Sequence, residues 1–184
     1  MGRPKALLPW AGTTLLAYQV RELRAAGVDD VIVVLGHEAR VRVMELARFR
    51  LPEETRLVVN EAYREGRASS LRAGARVLSD AAGPIVVLGL DQPRPASITR
   101  ALLDAHEGAS ITVPAFEGRR GHPVVLAGAL LPELREASEE AQGLRGVIAA
   151  HEAEVREVAF DTAQVLLDIN TPEEYEAALA RYGR

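Results

Sequence analysis

The chain has 184 residues, 48% of them hydrophobic and 26% charged, which is enough apolar material for one well-buried domain and short for two. A formal net charge of −4 speaks against nonspecific nucleic-acid binding, which needs an electropositive surface, and leaves room for a local cationic pocket. With no cysteine there are no disulfides, zinc–thiolate sites or thiol nucleophiles; no apolar run reaches the roughly 18 residues of a membrane span, and nothing ahead of the first helix reads as a secretory leader.

From the N-terminus, Thr13 or Thr14 caps a predicted helix that carries Leu15, Leu16, Gln19, Val20 and Leu23 and ends near Gly27. "VIVVLG" (31–36) is a continuous apolar run, as a strand covered on both faces requires. A helix over 38–48, with Val41 and Met44 inward, leads to the strand "RLVVN" (56–60) and the helix "SSLRAGARVLS" (69–79). "PIVVLGLD" (84–91) is the most hydrophobic strand and stops at a carboxylate. A helix at 96–106, a strand at 110–114 and a Gly-rich connection to the strand "PVVL" (123–126) follow. Short helices are expected near 128–135 and 143–151, strands near 154–160 and 165–169, and the Ala/Glu/Arg-rich piece 133–142 reads as a solvated surface element. The closing helix "TPEEYEAALA" has Thr171 as N-cap, Pro172 in its first turn and Glu174 to complete a capping box.

Such alternation of strand and helix predicts one α/β domain over 1–184, with an open, mostly parallel sheet covered by helices on both faces. Ligands in such sheets bind beyond the carboxyl ends of the strands, so chemistry is expected at those positions. Asp91 is carried to the sheet rim, where a lone carboxylate suits Mg²⁺ with waters and substrate phosphate oxygens, or simply forms a turn. Gly2, Arg3, Pro4 and Lys5 put two cations on a tight backbone, either to hold a triphosphate or as a solvated arm. In "NEAYREGRASSL" (60–71), Asn60 ends a strand, and Ser69 and Ser70 either hydrogen-bond a nucleotide or cap the helix. "EGRRGHPV" (117–124) packs Arg119, Arg120 and His122 among Gly118, Gly121 and Pro123, fitted to a phosphorylated organic substrate or to an exposed basic turn. In "DINTPEE" (168–174), Asp168 and Asn170 alternate on one side, as further oxygen ligands for the metal or as part of the helix cap. His37, His106 and His151 read as structural.

Taken in order, Gly2-x-Pro4-Lys5-x-Leu7-Leu8, Asn60-x-x-Tyr63-x-x-Gly66-x-x-Ser69-Ser70-Leu71, Asp91-Gln92-Pro93, Arg120-Gly121-His122-Pro123 and Asp168-Ile169-Asn170-Thr171-Pro172-Glu173-Glu174 resemble the molybdenum-cofactor nucleotidyltransferases, the molybdopterin cytidylyltransferase branch above all. The resemblance covers essentially the whole chain. It implies a three-layer, Rossmann-like nucleotidyltransferase fold of the nucleotide-diphospho-sugar transferase type. It also implies Mg²⁺-dependent transfer of a nucleotide monophosphate, CMP ahead of GMP, from a nucleoside triphosphate to molybdopterin with release of pyrophosphate. Carried over, Lys5 holds the triphosphate together with Gly2 and Arg3, and Asn60, Ser69 and Ser70 lie near the nucleotide. Asp91 binds the metal with Asp168 and Asn170, and Gln92, Arg120, Gly121, His122 and Pro123 face the pterin.

Three positions depart from the family pattern. Tyr63 stands where a Trp is usual, and Asn170 stands where the cytidylyl branch has Asp and the guanylyl branch Asn. The family also carries a buried strand and a Gly-rich phosphate loop ahead of the Met-Gly-x-Pro-Lys run, and here Met1 aligns with that internal Met. Without the first strand, residues 1–9 are expected to be poorly anchored, with Lys5 exposed and turnover weak. Two other functions stay in view: a sugar- or polyol-phosphate nucleotidyltransferase, and a non-catalytic module that holds molybdopterin or nucleotide for a molybdoenzyme or maturation partner. A cytoplasmic location is expected in each case.

Overall fold

A computed structural model of the chain describes residues 4–36, 51–52 and 55–183. The helix expected over 38–48 and His37 lie outside these residues, as do Gly2 and Arg3. In chain order the strands are β1 (Pro9–Trp10), β2 (Thr13–Thr14), β3 (Ile32–Leu35), β4 (Arg56–Val59), β5 (Ile85–Val87), β6 (Ile111–Phe116), β7 (Arg119–Arg120), β8 (Val124–Leu126) and β9 (Val155–Ala159). The helices are α1 (Leu15–Ala25), α2 (Arg67–Arg76), α3 (Ala96–Ala105), α4 (Leu131–Glu136), α5 (Leu144–Ala150) and α6 (Pro172–Tyr182).

β3 and β4 pair in parallel, while β5, β8, β6 and β7 pair in that order with β9 on β6. The mostly parallel sheet expected from the alternation holds for β3–β4 and β6–β9; β5–β8, β6–β8 and β6–β7 are antiparallel. The connections explain the difference. β5 and β6 are joined through α3 and run the same way, but the links from β6 through β7 to β8 are too short for a crossover and force reversal. β8 therefore enters between β6 and β5 against both. Glu117 and Gly118, at φ 50° and 74°, make the two-residue turn from β6 to β7 with the twist a hairpin needs. Among the described residues no pairing joins the β3–β4 pair to the five-stranded sheet.

Alternation along the strands divides the five-stranded sheet into two buried faces. Ile85, Ile111, Val113, Val124 and Leu126 lie on one, against Ala75 of α2, Leu131 and Leu134 of α4 and Val147 of α5. Val125 lies on the other, with Val86 and Phe116, against Ile98 and Leu102 of α3. This is the helix–sheet–helix layering that the sequence predicts. Leu134 and Ala137 are buried, so the 133–142 piece is not a purely solvated element. Among the described residues no helix is long and apolar enough to cross a membrane.

Local signals place most helix ends. Thr14 caps α1 by accepting from Ala17 N at 3.2 Å, Gly27 follows it at φ 97°, and α6 has the complete Thr171–Glu174 capping box. The strand expected at 165–169 is instead a 3-10 turn, Ala163–Leu166, followed by extended chain. The Val165 and Leu167 carbonyls accept hydrogen bonds from Arg94 and so do not join a ladder.

For residues 4–9 the expected loose N-terminal arm is a further correction. Ala6, Leu8 and Trp10 are buried, β1 pairs with β2, the Tyr175 hydroxyl donates to Pro9 O at 2.6 Å, and Ala11 N donates to Gly183 O at 3.0 Å. Trp10, Tyr18, Ile169 and Ala178 share one apolar cluster, so the C-terminal helix supplies the surface that holds the N-terminal segment.

Candidate active site

The Asp91 turn is held from three sides. Gln19 of α1 donates through Nε2 to the carbonyls of Gly89 (2.9 Å) and Leu90 (2.7 Å). Gly89 N donates to Gln92 Oε1 at 3.0 Å, and Ile169 N donates to the Asp91 carbonyl at 2.9 Å. Ile169 is fully buried, between the partly buried Asp168 and the exposed Asn170.

Lys5 arrives at this turn from its own 3-10 turn, Lys5–Leu7. Its Nζ stands 3.5 Å from Asp91 Oδ2 and 3.4 Å from Asn170 Oδ1. The structure thus brings Lys5, Asp91 and Asn170 together. Asp168 adds a carboxylate oxygen, Oδ1, that is buried and has no hydrogen-bond partner among the described residues. Two carboxylates and an amide oxygen are hard donors of the kind Mg²⁺ or Mn²⁺ takes. Among the described residues no group of three Asp, Glu or His side chains converges as a metal cage, so phosphate oxygens and water would complete the shell.

His122 faces the same turn from the loop before β8. Its Nδ1 lies 3.2 Å from Gln92 Nε2, which donates to it and leaves the ring proton on Nε2. Burial, then the nearby Arg94 charge, pushes its pKa below the usual histidine value, so the ring is neutral at physiological pH. His122 N donates to Val165 O, and a Cβ at Gly121 would run into that same carbonyl, which is why a glycine sits there. Pro123 is buried, and the His122–Pro123 peptide is cis.

Arg94 was not singled out from the sequence. Only 2% exposed, it donates to the carbonyls of Pro93, His122, Val165 and Leu167. The signal that could have found it is an arginine between two prolines, directly after a strand-ending Asp91-Gln92.

Asn60, Ser69 and Ser70 form a separate group. Asn60 Nδ2 donates to Ser69 Oγ (2.8 Å) and Ser70 Oγ (3.0 Å), its Oδ1 accepts from Ala62 N, and Ser69 Oγ donates to Gly66 O. These bonds tie the end of β4 to the first turn of α2. Helix α2 starts at Arg67, not at the serines, and its first-turn N–H at Ala68, which has no partner within the helix, is taken by Glu139 Oε1 at 2.5 Å.

Arg120 is not brought to Asp91. It is exposed on β7, bidentate to Glu152 (2.7 and 2.8 Å) and bonded through Nε to Glu157 at 2.7 Å. Those bonds, to Glu152 first, hold its guanidinium more firmly protonated than usual. Carboxylates on β9, across β6 from β7, and on the turn before β9 outcompete a site across the loop.

The helix-covered sheet places the chain among the Rossmann-like nucleotidyltransferases, with Lys5, Asp91 and Asn170 meeting at the turn after β5. More narrowly, the chain belongs to the MobA-like NTP transferase domain family, whose sequence model matches residues 1–155. Nicotine blue oxidoreductase of Paenarthrobacter nicotinovorans is 34% identical over 155 residues, covering 79% of this chain and 73% of that protein. The bifunctional IPC transferase and DIPP synthase of Rubrobacter xylanophilus is 39% identical over 80 residues, 43% of this chain and 18% of that one. The bifunctional protein GlmU of Cereibacter sphaeroides is 31% identical over 145 residues, 74% of this chain. The chain thus spans 18% and 31% of the two bifunctional relatives.

Among solved structures, Rv0371c of Mycobacterium tuberculosis H37Rv superposes with a TM-score of 0.82 at 28% identity, covering 98% of this chain and 90% of that one. Its complex with manganese gives 0.78 at 31% identity, covering 97% and 93%. A molybdopterin-guanine dinucleotide biosynthesis protein A from Archaeoglobus fulgidus shares the fold, with a TM-score of 0.60 at 18% identity over 96% and 89% of the two chains.

Proposed function

We propose that this protein transfers a nucleotide monophosphate, CMP ahead of GMP, from a nucleoside triphosphate to molybdopterin and releases pyrophosphate. The observation that carries the reading is the meeting of Lys5, Asp91 and Asn170 at one point, with the partnerless Asp168 oxygen on the same segment. Lys5 lies where it neutralises triphosphate charge, and Asp91, Asp168 and Asn170 would hold Mg²⁺; the manganese complex of Rv0371c supports a divalent ion in this family. Bound there, the ion would supply further charge neutralisation at the triphosphate. An oxygen of the acceptor phosphate attacks the α-phosphorus in line, the bond to the β-phosphate oxygen breaks, and pyrophosphate leaves.

On the acceptor side, Gln92 and the neutral His122 offer hydrogen bonds beside Asp91, with Gly121 and Pro123 shaping the loop. Asn60, Ser69 and Ser70 line the nucleotide side in this reading, as Gly2 and Arg3 would. Arg120 enters it only by bracing the β7 hairpin. A second reading, a sugar or polyol phosphate as acceptor, draws on the relatives named IPC transferase and GlmU, which are not named for molybdopterin.

The test is pyrophosphate release with Mg²⁺ or Mn²⁺, CTP or GTP, and either molybdopterin or a set of sugar and polyol phosphates. Release with molybdopterin that is abolished by Asp91→Asn is expected. Release with the other phosphates alone would transfer the assignment to the second reading, and an Asp91→Asn protein with normal turnover would remove Asp91 from the site.

A further inference from the structure

Arg94 is the most deeply buried cation among the described residues, and no carboxylate comes within ion-pair distance of it there. Its partners are carbonyls: His122 O at 2.9 Å from Nε, Pro93 O at 3.1 Å from Nη1, and Val165 O and Leu167 O at 2.8 and 2.9 Å from Nη2. Burial lowers its pKa to about 10, so it keeps its charge at neutral pH. Taking a cation out of water is expensive, and apolar side chains of similar size often serve stability as well or better. What an apolar side chain lacks is a rigid, planar fork that addresses several acceptors at fixed angles.

These carbonyls belong to three segments that meet at the site, on its metal side and its acceptor side alike. Pro93 follows Asp91 and Gln92; His122 carries the imidazole; Val165 and Leu167 lead into Asp168. We infer that Arg94 is a positioning residue, whose fork holds the His122 loop and the 165–168 segment in register with the Asp91 turn. The inference rests on the acceptor-side reading above. One bond sets the backbone under the His122 ring, which Gln92 then orients. Two bonds set the chain just ahead of Asp168, which the Ile169 N to Asp91 O bond then joins to the turn. The Lys5 contact to Asp91 is made from the other end of the chain and does not pass through Arg94. Loss of the fork therefore disturbs the His122 loop and the Asp168 segment together, while the Lys5 contact stays in place.

Arg94→Lys is the informative variant, because it keeps the charge and removes the fork. Expected is a folded protein whose kcat/KM for molybdopterin with CTP and Mn²⁺ falls about tenfold or more. The ¹H–¹³C signal of the His122 ring shifts, and its contact with the Gln92 amide is lost. An unchanged kcat/KM, or an unmoved His122 signal in a folded variant, overturns the inference. If the unmutated protein does not use molybdopterin, the reading of the acceptor fails on its own, and the His122 signal still decides the role of Arg94. Should Arg94→Lys not fold, the Arg94 Nε–H of the unmutated protein decides: slow exchange with solvent supports a fixed fork, and exchange as fast as an exposed arginine refutes it.

Discussion

Replacing Lys5 by Met separates a contribution to the fold from a contribution to chemistry. The Lys5–Asp91 pair is 3.5 Å long, with side chains 34% and 18% exposed. A pair this open is worth about 0–1 kcal/mol to stability, because water and salt screen it and ordering the lysine opposes it. For a chain of this size that is a change in Tm of about 2–4 °C at most. The effect on turnover is of another order. A preorganised positive donor removed from a site of developing negative charge lowers kcat by roughly 100- to 1000-fold, or about 3–4 kcal/mol. Pyrophosphate release under saturating CTP, alongside calorimetric melting of the same preparation, reads both quantities. Turnover within about threefold of the unmutated protein would show that Lys5 does not act on the triphosphate. A collapse of Tm matching the loss of activity would make it a folding residue instead.

Trp10→Ala should lower unfolding free energy by about 3–5 kcal/mol, since the ring is 1% exposed and packs on Tyr18 and Tyr175; a urea midpoint near that of the unmutated chain would mean the N-terminal segment is not anchored as described. Gly121→Ala puts a methyl group into the Val165 carbonyl, a backbone atom that cannot swing aside, so the melting temperature falls and the His122 ring signal moves; an unchanged protein by both measures refutes the close approach. His106 and His122 both have pKa values lowered by burial from 6.5, so just below that value the unfolded chain binds more protons than the folded one. Their contribution is complete above the unfolded value and is lost as pH falls toward the folded values. Urea unfolding should therefore show stability rising between pH 5 and pH 7 (approximate limits of the window), with a shallower rise in His106→Gln. A flat or falling profile there would contradict the burial of these rings. His151, raised by Glu133 and then Glu154, acts in the opposite sense, but it is exposed enough for solvent to screen it.

The features that could be read in advance are those whose cause is local. Thr14 accepting from Ala17 N, the Thr171–Glu174 box and Gly27 at positive φ depend on residues a few positions apart, and their residue types announce them. The alternation of strands and helices likewise announced a sheet covered on both faces, because each helix must bury its apolar side against the strands it joins. The shortened strand at Ile85–Val87 and the 3-10 turn at Ala163–Leu166 were not legible, since apolar runs do not say where their carbonyls bond. There the tertiary structure decided: Arg94 takes the Val165 and Leu167 carbonyls, and Glu139, 71 residues away, takes Ala68 N. Strand direction also depended on which neighbour each strand found, and β8 turned back between β5 and β6 because its link to β6 is short. The candidate site shows the same division. Asp91 stood out as a carboxylate at the end of an apolar strand, but Lys5 and Asn170 are 165 residues apart and meet only when α6 and Trp10 close the chain's two ends over Ile169. No local pattern encodes that contact, because it is the burial of one shared apolar cluster, and not any hydrogen bond between neighbours, that brings the lysine to the carboxylate.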